Sequence, residues 1–150
     1  MDRLESPIYF DTNVFIYSIE GHEDYAALLE QIFNQIFEDK LDVFTSELTL
    51  AECLVKPVKD NNDEAIQQYE IHIQDNSALT VKPVTRNILK RSAHVRSELG
   101  LKLPDAIHMA TAIEQGCKTF ITNDRKLKAP EGMKQIYLKD LLDSDTPQNS

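Results

Sequence analysis

The chain reads as an α/β protein built on a mostly parallel sheet with helices on both faces. Three observations predict this. Short apolar runs alternate with longer stretches of helical spacing along the whole chain. The 150 residues hold no internal repeat, low-complexity block or linker, and that length fits one domain. Four acids, Asp11, Glu52, Asp105 and Asp124, fall where a strand stops or a helix starts. In open parallel sheets ligands bind beyond those strand ends.

The elements follow in order. Pro7-Ile8-Tyr9-Phe10 is a short apolar strand ending at Asp11. A helix runs from about Thr12 to Glu20, and Gly21 can end it. Residues 25–38 place Leu28, Leu29, Ile32, Phe33, Ile36 and Phe37 at helical spacing, which predicts a core stripe. Val43-Phe44-Thr45 reads as the second strand. Ser46 can cap a helix running to about Lys56, with Pro57 as its stop. Residues 63–75 form a polar amphipathic helix with Ile66, Tyr69 and Ile73 inward. Leu79-Thr80-Val81 is the third strand, and Thr85 can cap a helix that ends before Gly100. Pro104 suits a first helical position, so the next helix runs from there to Gln115. Lys118-Thr119-Phe120-Ile121 is the fourth strand, and Gln135-Ile136-Tyr137 a fifth. The expected division is one domain over residues 1–143 and a polar, disordered tail over 144–150.

Composition narrows the class. Hydrophobic residues make up 41%, ordinary for a globular protein. No apolar run reaches the roughly 18 residues of a membrane span, so no membrane partner is expected. The first residues lack a basic n-region and an apolar h-region, which points to a cytoplasmic protein. Cys53 and Cys117 sit among apolar or small neighbours and read as buried, reduced thiols. The net charge of −9 argues against general nucleic-acid affinity. The charge is uneven, however. Residues 82–102 carry Lys82, Arg86, Lys90, Arg91, Arg96 and Lys102 against Glu98 alone, and Lys118, Arg125, Lys126 and Lys128 flank Asp124. Each patch reads as a solvated face or, beside clustered carboxylates, as a grip on a polyanion.

Each acid has a local explanation. Asp11 can cap the helix that follows it. Thr49-Leu50-Ala51-Glu52 fits a capping box, unless Ser46 is the cap and Glu52 lies inside the helix. Asp105 suits the positive end of a helix dipole, and Asn123-Asp124 suits a turn. One cause explains all four together, a hard divalent cation held by carboxylate oxygens. Thr12, Asn13 and Thr122 then stand where hydroxyl or amide groups can orient those carboxylates. His108, one turn after Asp105, reads as packed or hydrogen-bonded rather than ligating, because such a cation prefers oxygen to imidazole.

Taken together, Phe10-Asp11-Thr12-Asn13, Glu52, the stretch Leu99-Gly100-Leu101-Lys102-Leu103-Pro104-Asp105-Ala106-Ile107-His108-Met109-Ala110-Thr111-Ala112, and Thr122-Asn123-Asp124 resemble the PIN domain, in particular its VapC-like toxin ribonuclease branch. The resemblance spans residues 8 to about 138, and the third motif is the most specific. It implies a three-layer α/β/α sandwich and an acidic pocket in which Asp11, Glu52, Asp105 and Asp124 hold Mg²⁺ or Mn²⁺. It further implies metal-dependent cleavage of RNA phosphodiester bonds, leaving a 5′-phosphate and a 3′-hydroxyl. Asp11 and Asp105 are then the first direct ligands, with Asp124 close behind and Glu52 binding the metal through water or steering the attacking water. Arg86, Lys90, Arg91 and Arg125 are the expected contacts to RNA. A cognate antitoxin protein and a homodimer are the partners that the resemblance implies. Many relatives place a further acid soon after the position of Asp124. Here Arg125 and Lys126 follow, which weakens the case for a second metal ion. Two other readings fit parts of the pattern. One is a PIN-like protein-binding module without activity. The other is an aspartyl-phosphate, Mg²⁺-dependent protein, although Asp11-Thr12-Asn13 is not the D-x-D motif that one such class needs.

Overall fold

Five strands, Ile8–Phe10 (β1), Val43–Ser46 (β2), Leu79–Lys82 (β3), Thr119–Thr122 (β4) and Lys134–Tyr137 (β5), pair in the order β3-β2-β1-β4-β5. Every pairing is parallel, as strands separated by helices require. The helices are Thr12–Glu20 (α1), Ala26–Glu38 (α2), Glu47–Lys59 (α3), Asp63–His72 (α4), Arg86–Leu99 (α5), Leu103–Glu114 (α6) and Leu138–Asp145 (α7). This computed structural model describes residues 3–145, so positions 146–150 of the expected tail lie outside the described residues.

Alternation along the strands divides the core in two. Ile8, Phe10, Val43, Leu79, Val81 and Ile121 enter one cluster with side chains from α1, α2, α3, α4 and α7. Tyr9 and Phe120 enter the other, with Ile88 and Val95 of α5 and Ala106, Met109 and Ala110 of α6. The result is the three-layer α/β/α sandwich. The Tyr9 and Phe120 rings stack at 5.0 Å across β1 and β4. Both cysteines are free and buried, and burial pushes each thiol up to about 12. Among the described residues no helix is long and apolar enough to cross a membrane.

Local signals set most boundaries. Gly21 and Gly100 end α1 and α5 with φ of 68° and 66°, the left-handed conformation that glycine adopts without steric cost. The Ser46 hydroxyl accepts the Leu48 N–H at 3.0 Å, and the Thr85 hydroxyl accepts the Ile88 N–H at 3.1 Å.

Four expectations need correction. Pro57 does not stop α3 but lies inside it, buried, with the helix continuing to Lys59. Pro57 stands two residues before the end of the helix, and its missing N–H deprives one carbonyl, that of Cys53, of its bond. The helix Pro104 was expected to open starts one residue earlier, at Leu103, and ends at Glu114. The helix expected over 63–75 ends at His72. The α2 stripe is also narrower than its apolar residues suggest. Leu28, Leu29, Ile32 and Ile36 are buried, whereas Phe33 is 36% and Phe37 82% exposed. At about 100° per residue Phe37 sits on the far side of the helix from Leu28. Phe33 and Phe37 instead line a groove of about 250 Å³ with Phe10, Phe15, Ile19 and Leu79.

Phe120→Ala should lower unfolding free energy by about 3–5 kcal/mol, because the cavity it leaves cannot collapse between two layers. Phe37→Ala should change it by less than about 0.5 kcal/mol. Urea unfolding of the two variants tests the division between core and groove.

Candidate active site

The chain runs outward from β1 through β2 to β3, then returns to the other side of β1 as β4. The order therefore reverses between β1 and β4, and crevices form at the carboxyl ends of strands at such points. Asp11 follows β1 directly, and Asp124 follows β4 by two residues. Ladder bonding carries on past the strand, from the Asp11 N–H to the Ile121 carbonyl at 3.0 Å.

Asp11 occupies the N-cap position of α1, yet its side chain makes no cap hydrogen bond. It is only 5% exposed, and its Oδ2 accepts the Thr122 hydroxyl at 2.7 Å. The same hydroxyl oxygen accepts the Asp124 N–H at 3.0 Å and lies 3.5 Å from the Asn13 Nδ2. The Asn13 Oδ1 accepts the Asn123 N–H at 3.1 Å. Thr122 and Asn13 thus stitch the end of β4 to the start of α1.

Ser46 is the cap of α3, so Glu52 lies inside that helix and the capping-box alternative falls. Thr49 instead packs into the core, its hydroxyl 2.7 Å from that of Thr45. The Glu52 Oε1 accepts the Thr12 hydroxyl at 2.8 Å and lies 2.5 Å from the His108 Nε2. That nitrogen is also 3.8 Å from the Asp11 Oδ1. The far side of the ring meets the Tyr9 hydroxyl, 2.7 Å from Nδ1. Asp105 stands in the first turn of α6, half-buried. Asp124 does serve a turn, since its Oδ1 accepts the Lys126 N–H at 2.9 Å.

The electrostatics link the four acids. Burial pushes the Asp11 carboxyl above the usual range against the opposing His108 charge and Thr122 bond. Burial, then the charges of Asp11 and Asp124, raise Asp105. Burial also works to raise Glu52, but the His108 bond and charge, with the Thr12 bond, outweigh it and hold it low. For His108 burial works downward, and the Glu52 bond with the charges of Asp11, Glu52 and Asp105 turns the shift upward. The last two directions describe an ion pair.

The donor set, four carboxylates with hydroxyls behind them, is the chemistry of a hard divalent cation. Among the described residues no three His, Cys, Asp or Glu side chains are drawn close enough to hold a metal as they stand. Asp105 nonetheless feels all three other acids.

The basic residues are scattered by comparison. Arg86 and Lys90 are exposed on α5. Arg91, beside them, pairs with Glu114 at 2.9 Å. Arg125 binds Asp140 through both guanidinium nitrogens, Nη1 at 2.9 Å, and lies 4.3 Å over the Tyr137 ring. A further cluster adjoins Asp124. The Asn123 Nδ2 donates to the Tyr17 and Tyr25 hydroxyls at 3.2 and 2.9 Å, and its Oδ1 accepts the Lys139 N–H at 3.0 Å. Sequence reasoning passed over Tyr9, whose only signal was a polar tip in an apolar strand.

Comparison with known proteins gives the family and the fold. The family model described as PIN domain matches residues 8–132. A toxin–antitoxin complex from Klebsiella pneumoniae contains a chain 25% identical, with a TM-score of 0.64, over 87% of this chain and 97% of that one. VapBC2 from Rickettsia felis, solved with a DNA fragment from its promoter, is 18% identical with a TM-score of 0.68 over 87% and 97%. VapC20 of Mycobacterium tuberculosis, a toxin that cleaves the sarcin-ricin loop, is 16% identical with a TM-score of 0.57 over 75% and 86%. Below 25% identity such likeness shows the fold alone. No match was found among curated proteins.

The raised carboxyls make the metal-free site a source of pH-dependent instability. A carboxyl whose folded pKa lies above its unfolded value of 3.8 withholds stability once pH rises through the folded value. His108 adds stability that is full below its unfolded value of about 6.5 and is lost as pH rises through its raised folded value. Metal-free Asp105→Asn should therefore melt above wild type near pH 8, with the gap closing as pH falls toward about 4. Calorimetric melting across that range checks the sign.

Proposed function

The chain belongs to the PIN domain family, and from that premise we propose that it is a divalent-metal-dependent endoribonuclease acting as the toxin of a type II toxin–antitoxin pair. The observation that carries this reading is the buried Asp11 carboxylate at the switch point, with Glu52 and Asp105 in its electrostatic reach and Asp124 in that of Asp105. Asp11, Asp105 and Asp124 would hold Mg²⁺ or Mn²⁺, and Glu52 would bind it through water or steer the attacking water. A divalent ion there supplies a nucleophile at neutral pH and neutralises charge on the phosphorus oxygens.

The chain's own residues do the rest. Thr122 fixes the Asp11 carboxylate, and Thr12 fixes that of Glu52, so neither has to reorganise as charge develops. Arg86 and Lys90, exposed on α5, would meet phosphates of an RNA backbone. Arg91 and Arg125 would have to leave acid partners to do so.

The toxin half of the reading draws on the likeness to the Klebsiella pneumoniae complex and on the apolar groove. Phe33 and Phe37 leave more ring area in water than a free-standing helix face needs, which suits an apolar antitoxin segment. A homodimer belongs to the same reading. Val55 and Val58, neighbours on α3 at 68% and 57% exposure, offer a second copy an apolar strip. Residence in the cytoplasm, where RNA and antitoxin meet, completes it.

Purified protein should cut a mixed RNA pool with Mg²⁺ or Mn²⁺ and stop in EDTA. Asp11→Asn should abolish cutting while circular dichroism stays native, and full activity in that variant would refute the site. Phe37→Asp should still cut RNA but lose its antitoxin when the pair is co-expressed and purified through the toxin.

A further inference from the structure

We propose that Tyr9 and His108 form a positioning relay that holds the Glu52 carboxylate in register with Asp11. The inference rests on the nuclease reading above and adds two residues to it.

The geometry is a chain of short contacts through the core. Tyr9 and His108 are fully buried, on β1 and α6. The Tyr9 ring is stacked on Phe120 and meets the His108 ring edge-on, with centroids 5.9 Å apart and planes at 69°. Its hydroxyl, 2.7 Å from Nδ1, fixes the rotation of the imidazole. The other nitrogen, Nε2, is 2.5 Å from the Glu52 Oε1. An ionised carboxylate only accepts, so Nε2 carries the proton whether the ring is neutral or charged. The Tyr9 hydroxyl then donates to Nδ1 in the neutral ring and accepts from it in the charged one. The grip on Glu52 is the same in both states.

A satisfied core histidine would need none of this to converge on the site. Three features say more. Both protein bonds to Glu52, from His108 and Thr12, fall on Oε1. Oε2 takes none among the described residues and is the oxygen left for a cation or a water. The Nε2 atom also stands between Glu52 and Asp11, 3.8 Å from the latter's Oδ1. Finally, Tyr9 lies two residues before Asp11, whose extended backbone continues β1 by one residue, so the two share one side of the segment. One segment of backbone thus carries an acid of the site and, through the relay, sets the placement of a second acid from another helix.

The test uses the whole chain. Tyr9→Phe keeps the ring stack and removes only the hydroxyl, and His108→Gln removes the imidazole. In metal-free wild type, proton NMR should show a downfield His108 Nε2–H protected from exchange, lost or broadened in Tyr9→Phe. Calorimetry with Mn²⁺ alone should show affinity falling about 10–100-fold in each variant, the usual effect of losing a residue that orients a ligand. With RNA, kcat should fall while KM holds. In Mn²⁺ affinity and kcat the double variant should be no worse than His108→Gln, since the Tyr9 hydroxyl reaches Glu52 only through the ring. Unchanged Mn²⁺ affinity and kcat in both variants would overturn the proposal, as would additive losses in the double. If His108→Gln does not fold, Tyr9→Phe decides alone. A wild type that cuts no RNA would refute the nuclease reading, while the resonance and the Mn²⁺ titration would still judge the relay.

Discussion

The Asp11 carboxylate is held out of water at the end of the central strand. A buried anion is costly unless it is bonded and matched by charge, and the surrounding structure can be understood from how that is met. Thr122 brings one hydroxyl from β4, and His108 brings its Nε2 from α6 to 3.8 Å from Oδ1. Each comes from an element that parallel topology places beside the carboxyl end of β1. A one-residue slip of β4 against β1 would turn Thr122 to the opposite face and leave the anion without its donor. Register and charge are therefore fixed together.

The same arrangement sets function against stability. Asp11 and Asp105 are each pushed toward the protonated form by burial and by neighbouring acids, so ionising them near neutral pH costs folding free energy. The two apolar layers on either face of the sheet offset that cost, and Phe120, Ile121 and Met109 are buried entirely. Sites that must gather like charges characteristically draw on stability in this way.

The parts legible in the sequence were those whose cause is local. Gly21 and Gly100 mark helix ends because φ is a property of one residue, and Ser46 and Thr85 mark helix starts because a cap bond spans two or three. Asp11, Asp105 and Asp124 could be singled out because each lies within two residues of an element end, whereas Glu52 stands inside α3 as an acid among apolar neighbours. What escaped depends on distance in sequence. Phe37 looks identical to Ile36 in an apolar pattern, and its place on the far side of α2 from Leu28 leaves it in solvent. Pro57 is tolerated because burial and a nearby helix end favour the ring there. The helix Leu138–Asp145 does place Leu138, Leu141 and Leu142 at helical spacing, but eight residues directly after a strand are too short a window for that pattern to stand out. Tyr9 and His108 are 99 residues apart, and no spacing rule connects them.

Asn123 has a practical consequence for anyone handling this protein. Its amide clasps two tyrosines of the first helical region with one end and the first turn of the C-terminal helix with the other, and the next residue is Asp124. The last described helix is thereby harnessed to the acidic rim. A fusion or affinity handle appended after α7 would tug on that harness, and trimming the helix would slacken it. An apparent loss of activity in such a preparation would report on the handle before it reported on the chemistry.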